Sequence, residues 1–237
     1  MPLGDPKPSR RRADYRRYRE LVTTRPDLFG HAADGIAILL DEGDIRAAQR
    51  HVAVRNRRLG LPPAAGSVGV LVEDSYVLAL RDAVRFPDGS LGTHNRVIYA
   101  NRIGVGVLAR FQGDLVLLRI YRHALGAWLL EIPRGAAEPG DDAEETARRE
   151  IAEEIGGTVT HLTPLGRSVC DTSLSNSVLD LYLAELSAIG QPQLSEAIAA
   201  IIRVSPAEFG RMVLSGEIAD CHAIIAFTKA RMLGLLP

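Results

Sequence analysis

The tightest limit on what this chain can become is set by Glu150, Glu153 and Glu154, which fall at i, i+3 and i+4 in a segment patterned as a helix from Asp142 to Ile155. At that spacing the carboxylates share one helix face. Each like-charge pair weakens an isolated helix by roughly 0.2–0.5 kcal/mol, so a fold that keeps the face must neutralise it. Arg148 and Arg149 supply one means, and surface ion pairing is the ordinary reading of an acidic cluster taken alone. A multivalent cation is the other. An all-oxygen face without His or Cys favours a hard ion, Mg²⁺ or Mn²⁺ in its place.

The segment is bounded on both sides. Asp141 and Asp142 open it with carboxylates suited to capping exposed N–H groups, and Gly156-Gly157 stops it. Upstream, the pattern predicts helices over Ser9–Leu21 and Asp44–Arg58, the second opened by its Asp. Strands are expected at Val68–Val72, Tyr76–Leu80, Arg96–Ala100, Gly104–Phe111, Asp114–Tyr121 and Trp128–Ile132, with turns at Pro87-Asp88-Gly89 and Gln112-Gly113. Further strands are expected at Val159–Val169 and Val178–Leu183, and a terminal helix over Asp220–Leu233. Strands, a helix and more strands without regular βαβ alternation indicate an α+β or mixed-sheet sandwich.

The chain has 237 residues, 46% of them hydrophobic and 24% charged, which allows a sizeable core. Its formal net charge of −1 creates no global field toward nucleic acid or anionic membranes. The local run of Arg10, Arg11, Arg12, Arg16, Arg17 and Arg19 reads as a solvated helix face. Cys170 and Cys221 are too few and too far apart for a disulfide scaffold or a zinc pair. No apolar run approaches the roughly 20 residues that span a bilayer, and Met-Pro-Leu-Gly-Asp at the start lacks a signal-peptide order. A cytoplasmic protein is the expectation.

The stretch from Gly135 to Gly157 is longer and more specific than the glutamates alone. A glycine, five residues, an acid, seven residues, Arg-Glu, an apolar residue, any residue, Glu-Glu, any residue and Gly resembles the Nudix box. Two positions depart from it. Asp141 stands for the usual glutamate, keeping its charge near a helix N-terminus, and Gly157 takes the place of an apolar residue, trading a packing contact for flexibility. Tyr121-Arg122-His123 and Trp128-Leu129-Leu130-Glu131-Ile132-Pro133 before the box, and Ser215–Asp220 near the end, are similar to the ADP-ribose pyrophosphatase branch.

This resemblance implies a Nudix-type α/β/α sandwich with a mixed sheet in residues 96–237, preceded by a small helical and β-strand region, residues 1–95, that serves dimerisation. It implies Glu150, Glu153 and Glu154 as metal ligands, the backbone carbonyl of Arg134 in the same shell, and Arg149 orienting a glutamate. Glu153 and Glu154 then share the catalytic work, and Arg122 approaches the substrate diphosphate with its forked N–H groups. The activity implied is Mg²⁺-dependent hydrolysis of a nucleoside diphosphate sugar, ADP-ribose or a related ADP-sugar, to two monophosphates. That branch places a catalytic glutamate on a later loop, where this chain has Ser173-Leu174-Ser175-Asn176-Ser177. Asp171 is the nearest loop acid and the candidate base. The alternative is a Nudix-fold ligand-binding or regulatory module with weak or no turnover. On residue type alone, His123 reads as a structural histidine and Trp128 as a core residue.

Overall fold

The structure, a computed structural model, describes residues 8–30, 34–100, 103–137, 140–169, 171–192 and 194–237. The opening pentapeptide and Cys170 lie outside the described residues. The chain divides into two compact units, Met1–Ala100 with Ser173–Asn176, and Asn101–Thr172 with Ser177–Pro237.

In the first unit, helices α1 (Pro8–Thr24) and α2 (Glu42–Arg58) accompany strands β1 (Ala37–Ile38), β2 (Gly69–Glu73), β3 (Val77–Arg85) and β4 (Leu91–Tyr99). Strand β3 is central and pairs antiparallel with the other three. Helix α2 begins earlier than expected because Asp41, not Asp44, is its cap, accepting the N–H groups of Gly43 and Asp44 at 2.7 and 3.3 Å. Tyr18 and Leu21 of α1 pack with Ile45 and Ala48 of α2 over Val70, Leu80 and Ala83 of the sheet. The α1 arginines are not uniformly solvated. Arg10, Arg12 and Arg16 are exposed, whereas Arg17 pairs with Glu73 at 2.7 Å and Arg19 donates to the Leu40 carbonyl at 2.5 Å.

A charge sits inside this core. Asp82, 2% exposed, accepts the Tyr18 hydroxyl at 2.7 Å and Arg96 Nε at 2.6 Å. The Arg96 guanidinium also donates to the Leu28 carbonyl and lies 5.2 Å from the Phe29 ring centroid. Residues 173–176 belong to the same unit: Val97 N–H donates to Leu174 O at 2.7 Å, and Asn176 Oδ1 accepts Tyr99 N–H at 3.1 Å.

The second unit holds the strands β5 (Ile103–Phe111), β6 (Asp114–Arg122), β7 (Ala127–Glu131), β8 (Arg134–Ala136), β9 (Thr158–Ser168), β10 (Val178–Ala188) and β11 (Ile198–Val204). Its helices are α3 (Ala143–Ile155), α4 (Pro206–Ser215) and α5 (Cys221–Met232). The sheet runs β11-β6-β5-β10-β9, with β7 on β6 and β8 on β5. Strands β5 and β10 are parallel and the other pairs antiparallel, so the sheet is mixed. Gln112 and Gly113, both at positive φ (53° and 88°), make the expected hairpin turn.

Alternation along the strands buries both faces. Val105, Val107 and Ala109 of β5, with Val116 and Leu118 of β6, meet Ala147, Ile151 and Ile155 of α3. Leu108, Leu115, Leu117, Leu181 and Leu183 meet Phe209 of α4 and Ala223, Ala226 and Phe227 of α5 on the other side. This is the expected α/β/α sandwich. Four elements were not anticipated: β1, β8, β11 and α4. The first two are too short for a periodic signal, but Ser205-Pro206 with Glu208 does carry a helix start, and the Ser205 hydroxyl accepts Glu208 N–H at 3.2 Å.

Arg96→Ala would leave the Asp82 carboxylate buried with Tyr18 as its remaining donor. Because Arg96 is 26% exposed, the expected loss is about 2–3 kcal/mol, below the ~3–5 of a fully buried pair. Guanidinium unfolding of the first unit's signal checks this, and a loss under about 1 kcal/mol would contradict it.

Candidate functional site

Helix α3 is fixed at both ends before its glutamates come into play. Asp142 Oδ1 accepts Glu145 N–H at 2.8 Å while Glu145 Oε2 accepts Asp142 N–H at 3.3 Å, and Gly156 closes the helix in the left-handed region (φ 58°). Gly157 is needed for space, not flexibility: a Cβ there would stand 2.7 Å from Ile151 Cγ2. The apolar stripe of Ala147, Ile151 and Ile155 seats α3 on the sheet and so turns its acidic face toward β8. Glu150 and Glu154 are carried inside, 6% and 2% exposed, while Glu153 stays outside with its side chain 45% exposed.

Strand β8 makes room for them. A Cβ on Gly135 would lie 2.1 Å from Glu150 Cδ, and one on Gly104, in the adjoining strand, 2.8 Å from Gly135 O. No side chain larger than hydrogen fits at position 135 with Glu150 in place. The Arg134 N–H donates to Glu154 Oε2 at 3.1 Å. Burial nevertheless pushes the Glu154 carboxyl up to about 8, with that N–H pulling down and the Glu150 charge pushing up. Burial raises Glu150 as well, against the neighbouring Arg149.

Arg149 gathers the acids. Its Nη1 lies 2.9 Å from both Glu150 Oε1 and Glu153 Oε2, its Nη2 donates to Ala136 O at 2.9 Å, and Asp141 Oδ2 is 3.5 Å from its Nε. Asp141 therefore contributes a longer-range charge to the same arginine. As placed, the three glutamates turn to Arg149 and to the Arg134 amide, and among the described residues no three acidic, His or Cys side chains converge on one point. The donors still suit a hard cation: all are oxygens, two are buried with raised carboxyl values, and one guanidinium is the main charge opposing them.

A second charged group adjoins the first through Arg134. Arg122 donates from Nε to Glu131 Oε1 at 3.0 Å and from Nη2 to Oε2 at 2.5 Å; Arg134 Nη2 lies 2.6 Å from the same Oε2. Asp220, which caps α5 by accepting Ala223 N–H at 2.8 Å, lies 3.7 Å from Arg134 Nη1. Sequence reasoning missed Glu131, although an acid beside Ile132-Pro133 in an otherwise apolar strand was its signal.

The remaining expected residues lie elsewhere. Asp171 is exposed just beyond β9, and residues 173–176 are bonded to β4. Trp128 is not in the core: it is 45% exposed, edge-on to Tyr121, with the Arg119 guanidinium 4.6 Å from its ring centroid. His123 sits exposed in the turn between β6 and β7. A cavity of about 420 Å³ in the first unit, lined by Arg11, Arg12 and Arg46 among others, contains none of the expected site residues. No helix among the described residues is long and apolar enough to cross a membrane.

Residues 100–222 match the family model described as NUDIX domain. The chain is 27% identical over 158 residues to the ADP-ribose pyrophosphatase of Bacillus subtilis (strain 168), covering 65% of this chain and 83% of that protein. It is 26% identical over 102 residues to the ADP compounds hydrolase NudE of Escherichia coli (strain K12), covering 43% and 55%. A crystal structure of an ADP compounds hydrolase shares the fold with a TM-score of 0.63 at 20% identity, over 70% of this chain and 90% of the other.

Glu154 makes a pH dependence testable. With a folded value of about 8 against an ordinary 4.5, the metal-free folded protein keeps a proton that the unfolded chain releases. Stability from this group is therefore full below about pH 4.5 and falls as pH rises toward about 8. His222, lowered by burial, acts oppositely but only below its ordinary 6.5. A cation that took Glu154 as a ligand would displace its proton, and the rise in melting temperature on replacing EDTA with Mg²⁺ would then be larger at pH 8 than at pH 6.5. Equal rises would refute it.

Proposed function

The chain belongs to the Nudix family, and on that premise we propose that it hydrolyses the diphosphate linkage of a nucleoside diphosphate sugar, ADP-ribose or a related ADP-sugar, to two monophosphates. The observation that carries the reading is the pair of buried glutamates on α3: Glu150 lies against Gly135 and is cross-linked to Glu153 by Arg149, and Glu154 accepts the Arg134 N–H. Such a face has no use as a surface ion pair, since surface pairing needs no burial and burial is costly. The names borne by the Bacillus and Escherichia relatives support an ADP-containing substrate.

In this reading Glu150, Glu153, Glu154 and the Arg134 carbonyl would hold Mg²⁺, with Mn²⁺ as a substitute. A divalent ion there supplies charge neutralisation on the diphosphate and lowers the pKa of a bound water. The protein's own residues do the rest. Arg149 holds Glu150 and Glu153 at fixed separation through one Nη1 atom. The Arg134 N–H keeps Glu154 oriented, and Glu154 takes a proton more readily than an ordinary carboxylate because burial raises its value. Arg122 presents N–H groups to the diphosphate. Asp171 is the loop acid we assign to accept the proton of the attacking water.

A binding module with little turnover is the second reading, favoured by one observation: residues 173–176 carry no glutamate and pair with β4. Purified protein incubated with Mg²⁺ and a panel of nucleoside diphosphate derivatives separates the two. Release of monophosphates from ADP-ribose, lost by at least about 10²-fold in Glu154→Gln and Asp171→Asn, is expected of the hydrolase. Binding without release across the panel leaves the module, and an undiminished Glu154→Gln rate removes that residue from the mechanism.

We also assign the N-terminal region, residues 1–95, to homodimerisation, on the resemblance to the ADP-ribose pyrophosphatase branch. Light scattering is expected to give twice the 25.7 kDa chain mass, and a monomer would refute the assignment.

A further inference from the structure

Glu131 is 1% exposed, yet it ends a strand whose neighbours at Trp128 and Leu129 are partly open to solvent. Its carboxylate is shared. Oxygen Oε2 takes both Arg122 Nη2 and Arg134 Nη2, at 2.5 and 2.6 Å, and Oε1 takes Arg122 Nε. One buried carboxylate thus faces two guanidiniums. Asp220, buried at 3.7 Å from Arg134 Nη1 while its other oxygen caps α5, supplies the second acid, so that two carboxylates balance the two guanidiniums. Two like charges stay this close only because the acid between them is held in place.

The arginines are also not spent. Their side chains remain 33% and 25% exposed, and among the described residues nothing accepts from Arg122 Nη1. Arg134 reaches both groups of charge, its guanidinium to Glu131 and its main-chain N–H to Glu154. An anion that meets the exposed edges of the two guanidiniums therefore sits beside the glutamate face. A diphosphate has the charge and the spaced oxygens for this, and two forks fixed in advance lose little entropy on binding it.

We propose that Glu131 is a positioning residue that locks Arg122 and Arg134 together as a two-guanidinium clamp for the substrate diphosphate. The clamp rests on the hydrolase reading above for its substrate but not for its geometry. Its tie to Glu154 through the Arg134 backbone sets the diphosphate in register with the acids on α3.

The test is Glu131→Gln, which keeps shape and an acceptor but removes the charge, made in the native protein and in Arg122→Ala/Arg134→Ala. ADP-ribose affinity is read by calorimetry with Ca²⁺ in place of Mg²⁺, KM and kcat with Mg²⁺, and Mn²⁺ affinity by electron paramagnetic resonance. Expected are a rise of about ten-fold or more in Kd and KM, kcat changed less than about three-fold, and unchanged Mn²⁺ affinity. In the double-alanine background the substitution should have no further effect on Kd. A loss confined to kcat, a parallel loss of Mn²⁺ affinity, or an equal Kd effect without the arginines would each overturn the clamp. If Glu131→Gln fails to fold by circular dichroism, Arg122→Lys, Arg134→Lys and their combination decide: losses that multiply independently refute a single clamp, and a double no worse than the worse single supports it. Native protein that binds ADP-ribose through Glu131 without hydrolysing it would remove the proposed function and leave the clamp. Native protein that binds neither ADP-ribose nor inorganic pyrophosphate removes both.

Discussion

Glu150 and Glu154 are carried into the protein by the same helix whose apolar stripe seats it on the sheet, and much of the second unit answers to that fact. Ile151 and Ile155 draw α3 down, and with them come two carboxylates that water would otherwise solvate. The strand facing them must have a glycine, since any Cβ at Gly135 would overlap Glu150. The strand beneath repeats the requirement at Gly104. Arg149 and the Arg134 amide then supply the donors, and what they do not compensate appears as the raised carboxyl value of Glu154. Packing drives the burial, and the raised Glu154 value is its consequence.

The same logic decides what could be read in advance. Helix α3 was legible because cap, stripe and stop all lie within a short contiguous stretch, and the mixed sheet because its long strands alternate cleanly over Gly104–Phe111 and Asp114–Tyr121. The box residues were legible because their spacing is local and their type is specific. Glu131 was not, since its role depends on Arg122 and Arg134 meeting it from two other strands, a relation that spacing along the chain does not encode. Trp128 was misread for a related reason. Size and aromaticity favour the core, but β7 places it on a partly open surface beside Tyr121 and Arg119. Asp41 displaced Asp44 as the α2 cap because several acids crowd that start and propensity alone does not rank them.

The first unit solves a similar problem by different means. Its buried Asp82 is met by a tyrosine from one helix and an arginine from a neighbouring strand, so the charge is satisfied by partners. One buried acid there joins elements of the core; the acids of α3 retain an unmet demand.

The short segment Ser173–Asn176 has a consequence for how this protein can be taken apart. It is bonded to β4 although the chain on either side of it belongs to the second unit. The chain thus visits the first unit twice, and no single cut yields both units whole. Cleavage near Ala100 would strip β4 of its paired segment and leave residues 173–176 behind in a fragment that holds no β4. Modularity, in the sense of pieces that recombination could exchange freely, is therefore denied to this chain by four residues.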